Sequence, residues 1–213
     1  MFQPDRYLLK KQIKENAGFV GGVVLDAGSG GRRYKNFFDF EKYIALDIDS
    51  KSNPDIIGSV ERIPLHDNSV DSIISTQVLE HVSNPRKAVE EFHRVLKRGG
   101  HCLVTAPQSS ELHEEPNDYF RFTKFGLEKL FEKSGFETVL IDRCGGFWTL
   151  TAQMKIRYLI DLFKLNRRRW LRIIFNPAFF IFGRAAILFD AVDKSEANSK
   201  HTLGWLIVAK KQK

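Results

Sequence analysis

Short apolar runs alternate along the chain with segments whose apolar residues recur at helical spacing. Five of these runs are almost entirely apolar, which is typical of strands buried on both faces of a sheet. They lie at 23–25, 43–46, 56–57, 72–75 and 102–105, and two further strand-like segments lie at 136–141 and 203–209. The alternation predicts an α/β fold with a mostly parallel sheet.

Helical spacing is clearest over 85–97. A proline begins this range, Asn84 is a suitable N-cap and Gly99 suits the position just past the end. Two more helices are predicted over 123–135 and 7–14.

The segment 147–200, between the last two predicted strands, is basic and aromatic. Residues 155–190 contain eight basic and two acidic side chains, a balance of +6 in a chain whose net charge is +7. Two helices are predicted here, with a break at 176–177. The longest uncharged run, 173–183, has 11 residues and is shorter than the roughly 20 that span a bilayer.

Three roles are open for this insertion. It is a helical lid over a ligand pocket, a peripheral membrane contact with arginines at anionic headgroups, or a nucleic-acid surface with stacking aromatics. The rest of the chain carries almost no net charge and shows no broad basic track, which disfavours nucleic acid. The first two roles are compatible if the bound molecule is linked to a lipid.

Length and composition fit a single domain over 1–213 that includes the insertion at 147–200. Of the 213 residues, 43% are hydrophobic and 28% are charged, which argues against a disordered or fibrous chain. The two cysteines, Cys102 and Cys144, form neither a disulfide framework nor a zinc motif. With no apolar run of signal-peptide length at the N-terminus, a reduced, cytoplasmic setting is expected.

The strongest local chemistry is a glycine loop directly after the first strand. Gly28 and Gly30 permit close backbone approach to a ligand, and Asp47 ends the next strand 17 residues after Gly30. A carboxylate there offers paired acceptors for the vicinal hydroxyls of a ribose, which favours an adenosine-containing ligand. Arg33 stands where a dinucleotide fingerprint needs a small residue, and a P-loop is absent, so NAD binding and ATP hydrolysis are disfavoured.

Six segments in a fixed order resemble the class I S-adenosylmethionine-dependent methyltransferases, most closely the type 11 subgroup. They are 24–30, 46–48, 63–65, 71–77, 78–85 and 94–100. The resemblance covers about 20–141 and the last strand. It implies a Rossmann-like class I methyltransferase fold with a seven-stranded, mostly parallel sheet, an antiparallel last strand and a helical insertion before it. It also implies S-adenosyl-L-methionine as the cofactor.

The resemblance implies which residues bind the amino acid part of the cofactor. Gly28, Ser29 and Gly30 lie under it, with Asp26 close by. Gln77, at the end of the fourth strand, borders the methionine part and the methyl group that is transferred.

The resemblance also implies the contacts of the adenosine part. Asp47 holds the ribose and Ile48 packs on the adenine. Ser59 and Val60 lie beside the adenine amino group. Ser59 departs from the acidic residue that the family often has there, and only a weak hydrogen bond is expected from it.

Methylation of a hydroxyl usually needs a base to remove its proton, and ligands of such folds bind at the carboxyl edge of the sheet. His81 follows the fourth strand and is therefore a candidate for this catalytic role. The alternative is structural, with Glu80 and His81 bracing the next helix.

A second candidate segment, 113–123, is polar, charged and aromatic at once. It resembles the His-x-x-Pro-x-Asp-Tyr-x-Arg-Phe/Tyr-Thr segment of some type 11 enzymes, many of which are encoded with polysaccharide assembly genes. His113 is then a base or a substrate contact, because histidine is the natural proton acceptor at neutral pH. Asp118 and Arg121 bind polar substrate groups, and Tyr119 supplies a flat apolar face. The alternative is that Asp118 and Arg121 form an ion pair that holds the loop.

The expected activity is methylation of a small molecule or glycan, with O-methylation of a sugar or lipid-linked acceptor as first choice. An isoprenoid quinone or another apolar acceptor is the alternative among enzymes. A non-catalytic, membrane-associated module is the alternative of a different class, and Ser59 is the only hint of it. No metal is expected, because His113 and Glu114 lack a second clustered set of ligands.

Overall fold

A computed structural model describes residues 1–212 of the chain. The strands are β1 (Val23–Ala27), β2 (Lys42–Asp47), β3 (Ile56–Ile57), β4 (Val70–Thr76), β5 (Leu96–Pro107), β6 (Phe136–Cys144) and β7 (Gly204–Lys211). The α-helices are α1 (Pro4–Glu15), α2 (Pro85–Val95), α3 (Lys124–Lys133), α4 (Phe147–Leu162), α5 (Arg169–Val192) and α6 (Glu196–Ser199). Every predicted strand is present, and α1 and α3 correspond to the helices predicted over 7–14 and 123–135.

The strands form one sheet in the order β3-β2-β1-β4-β5-β7-β6. β1 pairs in parallel with β2 and β4, β2 with β3, and β4 with β5. β7 lies antiparallel between β5 and β6. The strand order reverses at β1, which opens a crevice outside the carboxyl ends of β1 and β4, where open α/β sheets bind ligands. The Rossmann-like, mostly parallel, seven-stranded fold is confirmed.

The chain divides into two compact units. The sheet unit comprises Gln12–Gln108, Leu112–Asp142 and the residues from Trp205 onward. The helical unit comprises Met1–Lys11, Ser109–Glu111 and Arg143–Gly204. The whole basic and aromatic segment therefore belongs to the helical unit.

The core of the sheet unit combines buried strand residues with one stripe of α2. The side chain of Asn84 caps this helix by accepting a hydrogen bond from the Lys87 amide at 3.1 Å. The buried residues of α2 are Ala88, Val89, Phe92 and Val95. Because they recur every three or four positions, they face the core together, and burying a side chain such as Phe92 contributes about 1.5–3 kcal/mol.

The end of α2 differs from the prediction. The helix stops at Val95 and does not continue to Lys97, because Leu96 already belongs to β5 and pairs with Val70 of β4. Gly99, with φ of 81°, lies where the register between these strands shifts. Gly99 thus allows the irregular backbone at this register shift. The pairing of β5 with β4 that causes it cannot be seen in the local sequence.

α4 and α5 pack together within the helical unit. Their shared core contains Ile156, Ile160, Leu165 and Phe179. The Asp190 carboxylate, near the end of α5, accepts hydrogen bonds from three backbone amides around the start of α4. They belong to Gly146, Trp148 and Thr149, at 2.7, 3.1 and 3.1 Å. This acid satisfies free amides and complements the positive end of the α4 dipole.

α5 is one continuous helix of 24 residues, so the predicted break at 176–177 is wrong. Pro177 removes one backbone hydrogen bond from the helix interior. Phe175 and Phe179, on either side of the proline, pack in the core shared with α4. This packing offsets the lost hydrogen bond, an effect that a local proline rule does not include.

By length and composition alone, α5 is the one helix within residues 1–212 that would reach across a membrane. Only 17% of its most apolar 18-residue window is buried. This finding corrects the expectation that the segment is too short. The uncharged run ends at Gly183, but the helix continues past Arg184, and 24 residues at 1.5 Å each extend about 36 Å.

Candidate active site

The glycine loop after β1 is held against β2 by its own backbone. The amides of Gly28 and Ser29 both donate to the Leu46 carbonyl, at 2.8 and 3.0 Å. Gly28 has φ of 80°, and a Cβ added there would lie 2.4 Å from a methyl group of Val78. Only glycine meets both conditions, so the loop is in close contact with the segment that follows β4.

The Asp47 carboxylate lies beside this loop, at the end of β2. Its Oδ2 accepts a hydrogen bond from the Gly30 amide at 2.7 Å, and its Oδ1 accepts one from the Asp49 amide at 2.8 Å. Each carboxylate oxygen can accept a further hydrogen bond. The backbone therefore orients this carboxylate while leaving it acceptor capacity, as binding of a ribose diol requires.

Two buried polar groups lie at the carboxyl end of β1. Burial raises the pKa of Asp26 to about 6, against the opposing effect of a hydrogen bond that the Tyr43 hydroxyl donates to its carboxylate. The hydroxyl of Ser29 is buried and has no hydrogen-bond partner within residues 1–212. A buried hydroxyl normally finds a partner, so Ser29 fits a polar group of an amino acid ligand, and the remaining acceptor capacity of Asp26 suits the ammonium group of that ligand.

Gln77 lies at the carboxyl end of β4 in the left-handed region, with φ of 55°. Its backbone amide donates to the Thr105 carbonyl at 3.0 Å, and its side-chain Nε2 donates to the Thr105 hydroxyl at 3.2 Å. A non-glycine residue in this region costs roughly 1–3 kcal/mol, and such residues cluster at functional sites. Gln77 therefore stands at the edge of the crevice between β1 and β4.

The residues expected around the adenine differ in exposure. Ile48 is 76% exposed and presents an open apolar surface, whereas Val60 is 5% exposed and packs in the core of the sheet unit. The Ser59 hydroxyl accepts a hydrogen bond from the Glu61 amide at 3.1 Å, and its own proton remains able to donate. Ile48 and Ser59 thus have groups to offer a ligand, while Val60 has little.

Two loops meet at the carboxyl end of β4. One follows β4 and carries Glu80 and His81, and the other is the 113–123 segment between β5 and α3. The Glu80 carbonyl accepts a hydrogen bond from the Tyr119 amide at 2.8 Å. His81 Nδ1 lies 2.7 Å from the Asn117 carbonyl oxygen, so Nδ1 carries a proton, and the neutral form of the ring has its lone pair on Nε2. The two predicted catalytic segments therefore form one cluster within the sheet unit.

Asp118 and Arg121 form a bidentate ion pair inside the second loop. The two guanidinium nitrogens lie 2.7 Å from Oδ1 and 2.7 Å from Oδ2 of Asp118, whose side chain is 2% exposed. The guanidinium holds the pKa of Asp118 well below its usual range. The same carboxylate accepts the His113 amide at 3.0 Å. The bracing ion pair is thus present, and the half-exposed Tyr119 is the more accessible side chain.

Three metal-ligand side chains converge where the loops meet. The ligand atoms of Glu80, His81 and His113 all lie within 4.8 Å of one another, and the two imidazole rings meet edge to face at 4.7 Å. Glu80 is fully buried, and neither carboxylate oxygen has a hydrogen-bond partner within residues 1–212. Burial raises the pKa of Glu80 to about 8. A clustered set of possible ligands is therefore present where none was expected, because the fold joins two segments that are distant in sequence.

Sequence reasoning missed two residues that hold this site together. The Val78 side chain packs against Gly28, and the Asn117 carbonyl fixes the orientation of His81. A valine methyl and a backbone carbonyl carry no chemical signature, so no sequence signal distinguishes them. Glu80 does stand in a recognisable segment, but its lack of a partner is visible only in three dimensions.

Comparisons with known proteins agree with this geometry. The sequence family described as "Methyltransferase domain" matches residues 25–104, which include the glycine loop, Asp47 and Gln77. The malonyl-[acyl-carrier protein] O-methyltransferase of Yersinia pestis is 31% identical over 107 residues, which are 45% of this chain and 40% of that protein. The chain spans 61% and 51% of the length of two other curated relatives.

Solved structures share the fold over nearly the whole chain. A candidate methyltransferase from Bacillus halodurans superposes with a TM-score of 0.62 at 17% identity, covering 96% of this chain and 99% of that one. Phosphoethanolamine N-methyltransferase 2 of Haemonchus contortus, in complex with phosphomonomethylethanolamine and S-adenosylhomocysteine, superposes with a TM-score of 0.61 at 16% identity. That match covers 96% of this chain and 53% of the other. At these identities the likeness concerns the fold alone.

Proposed function

The chain contains a class I, S-adenosylmethionine-dependent methyltransferase domain, and from this premise we propose an O-methyltransferase whose acceptor is presented at a membrane surface. The acceptor class is a small molecule or glycan, with a sugar hydroxyl on a lipid carrier as first choice. The observation that carries the proposal is the meeting of the glycine loop, Asp47 and the two histidine-bearing loops at one edge of the sheet. The relative that is named an O-methyltransferase supports oxygen as the acceptor atom.

The residues at this edge fit the cofactor. Gly30, with φ of 46°, has open space where a side chain would project, and the hydroxyl of Ser29 is buried and unpaired. Asp47 offers oriented acceptors to the ribose. S-adenosylmethionine supplies, when bound, an electrophilic methyl group on a sulfonium sulfur. The contribution of the chain is to bind both partners, align them and exclude water.

The acceptor side of the site is assigned to the two loops after β4 and β5. A hydroxyl loses its proton as it attacks the methyl group, so a group that receives or displaces this proton must lie nearby. His81 and His113 are our catalytic candidates. Tyr119 offers a flat face to a sugar ring, and the ion pair of Asp118 with Arg121 positions the loop.

The exposed surface of α5 supports the membrane part of the proposal. Its exposed large apolar side chains are Trp170, Ile173, Ile174, Phe180, Ile181, Phe182, Leu188, Phe189 and Val192. Soluble monomers rarely expose apolar surface over such an extent. Tryptophan and phenylalanine on a helix with basic residues are typical of a helix that lies in the membrane interface.

The charges of the helical unit are arranged for an anionic surface. The arginine cluster at the N-terminal end of α5 consists of Arg167, Arg168, Arg169 and Arg172. These cations lie at the positive end of the α5 dipole, which is locally unfavourable and is relieved by anionic headgroups. The two other charged residues of α5 already have partners, since Arg184 packs over the Tyr7 ring and Asp190 caps α4.

Location and acceptor remain proposals. We place the protein in the cytoplasm at a membrane face, and the buried free thiols of Cys102 and Cys144 are compatible with a reducing compartment. An isoprenoid quinone or another apolar acceptor is the second candidate, favoured by the same exposed apolar side chains of α5.

The test combines cofactor binding with methyl transfer. Calorimetry on the full chain should show binding of S-adenosylmethionine and S-adenosylhomocysteine. With vesicles made from a lipid extract that contains lipid-linked glycans and isoprenoid quinones, we expect labelled methyl to appear as a methyl ether in the glycolipid fraction. Label in the quinone fraction would favour the second candidate, and binding without transfer would indicate a non-catalytic module. Failure to bind either compound would refute the proposed function.

A further inference from the structure

We propose that Glu80, His81 and His113 bind one divalent first-row cation and that this cation receives the acceptor hydroxyl. Two histidines and one carboxylate with open coordination positions are a recurrent ligand set for such ions. The ligand atoms of the three residues lie within 4.8 Å of one another. The role in catalysis rests on the proposed function, whereas the cation site rests on the geometry of the loops.

Both histidines have Nδ1 beside an acceptor of the protein. His81 Nδ1 donates to the Asn117 carbonyl oxygen at 2.7 Å. His113 Nδ1 lies 3.5 Å from Oδ2 of Asp118, a carboxylate that Arg121 fixes in a bidentate ion pair. Histidines that bind metals characteristically direct their other ring N–H to a backbone carbonyl or a carboxylate. Both kinds of support are present, one for each ring.

Glu80 supplies the independent observation. Its side chain is fully buried, its two oxygens lack a hydrogen-bond partner within residues 1–212, and its Oε1 lies 3.9 Å from His81 Nε2. A buried carboxylate without a partner is strongly unfavourable. A cation held between this carboxylate, His81 Nε2 and a ring nitrogen of His113 removes that cost.

The remaining coordination positions suit an acceptor oxygen. The exposed Glu114 carboxylate lies next to the cluster, with Oε2 3.9 Å from His81 Nε2. A hydroxyl bound to a divalent cation becomes more acidic, so its O–H bond breaks and the proton passes to water by way of Glu114. The oxygen lone pair then forms the bond to the methyl carbon while the carbon–sulfur bond breaks, with that electron pair staying on sulfur. No oxidant or reductant is required.

The test is Mn²⁺ binding to the purified full chain after treatment with a chelator. Binding is measured as the loss of the EPR signal of the free ion. We expect one ion per chain. Glu80→Gln and His113→Gln should each weaken Mn²⁺ binding by roughly tenfold or more, since each removes a ligand. The matched control is His66→Gln, which replaces an exposed histidine outside the cluster and should leave Mn²⁺ binding unchanged.

Affinity for S-adenosylhomocysteine, measured on every variant, separates this inference from the proposed function. If the wild type retains that affinity but binds no Mn²⁺ below about 1 mM, or binds it as His113→Gln does, the cation site is refuted and the methyltransferase function stands. If Mn²⁺ binding depends on the cluster but S-adenosylhomocysteine does not bind, the site stands and the function fails. Should Glu80→Gln not fold, His113→Gln decides, because that ring is partly exposed.

Discussion

α2 of the sheet unit and α5 of the helical unit differ in how far their apolar side chains are buried. All apolar side chains of α2 from Ala88 to Val95 are buried. α5 buries Phe179 and Ala186 but exposes nine large apolar side chains. The fold alone explains the composition of α2, because every such residue has a packing role. Packing within residues 1–212 leaves the composition of α5 unexplained, and our proposal of a membrane surface accounts for it.

The largest effect on stability is expected at Phe92. If this effect is absent, the contrast between a buried α2 and an exposed α5 is wrong. Phe92→Ala removes a fully buried ring and should lower the free energy of unfolding by about 3–5 kcal/mol. Phe180→Ala is the matched change in α5, where the ring is 50% exposed and touches Phe2. We expect about 1 kcal/mol or less for it. Urea unfolding measures both, and equal losses would mean that α5 is covered in solution.

A second large effect is expected in the glycine loop of the sheet unit. Gly28→Ala forces a side chain into the left-handed region and against Val78, so it should cost about 2–4 kcal/mol and abolish S-adenosylhomocysteine binding. Gly31→Ala is the control, since its added Cβ meets nothing within 4 Å. Thermal unfolding and calorimetry check both variants, and a Gly28→Ala protein that still binds the ligand normally would remove this loop from the site.

The arginine cluster should act on membrane binding and leave folding intact. Changing Arg167, Arg168 and Arg169 together to Ser should weaken binding to vesicles of phosphatidylglycerol and phosphatidylcholine by about 1 kcal/mol per charge in low salt. Salt should reduce the difference, because it screens exposed charges. Removing cations from the positive end of the α5 dipole does not destabilise the helix, so a loss of binding would report on the surface.

The control for the arginine cluster lies in the sheet unit. Arg86, Lys129 and Lys133 are exposed, and changing these three to Ser removes the same charge from the other unit. Co-sedimentation with the vesicles should not change. If both triple variants lose binding equally, net charge alone drives the association. A wild type that ignores the vesicles ends the membrane part of the proposed function.

Much of the fold could be predicted because parallel strands are buried on both faces and so appear as apolar runs, as at 72–75 in β4. The first half of β5 could not, because Lys97, Arg98 and the glycines after them hide a strand that is fixed by pairing with β4. The continuity of α5 was also hidden. A proline rule is local, whereas the packing of Phe179 that keeps the helix together is tertiary.

The cofactor side and the acceptor side of the site differ in the same way, in local against tertiary determination. Gly28, Gly30 and Asp47 could be found in the sequence because strand–loop chemistry is encoded within a few residues, and their roles toward the cofactor stay predictions. The cluster of Glu80 with His113 could not be found, because it depends on the loop after β5 returning to the end of β4. Whether a buried carboxylate has a partner is a property of its surroundings and not of its motif.

The smallest effect is expected at Asp47 of the sheet unit, and it tests whether this residue binds the ribose of the cofactor. Asp47→Ala should weaken S-adenosylmethionine binding by about tenfold, or about 1.4 kcal/mol, because hydrogen bonds to a charged carboxylate are lost. Calorimetry measures the change. The carboxylate also accepts the Gly30 amide, so the loop itself could shift. Asp47→Asn keeps the size of the side chain and one carbonyl acceptor, and it should bind at an intermediate affinity.

The control for Asp47 is its neighbour Asp49, which separates ribose binding from the general charge of the region. Asp49 is exposed, and its carboxylate accepts the Lys51 amide at 2.9 Å. Asp49→Ala removes the same charge two residues away and should leave the affinity for S-adenosylmethionine within about twofold, since exposed charges act weakly at a distance. Equal losses in the Asp47 and Asp49 variants would contradict the ribose contact and leave only a diffuse electrostatic attraction of the cationic ligand to this strand end.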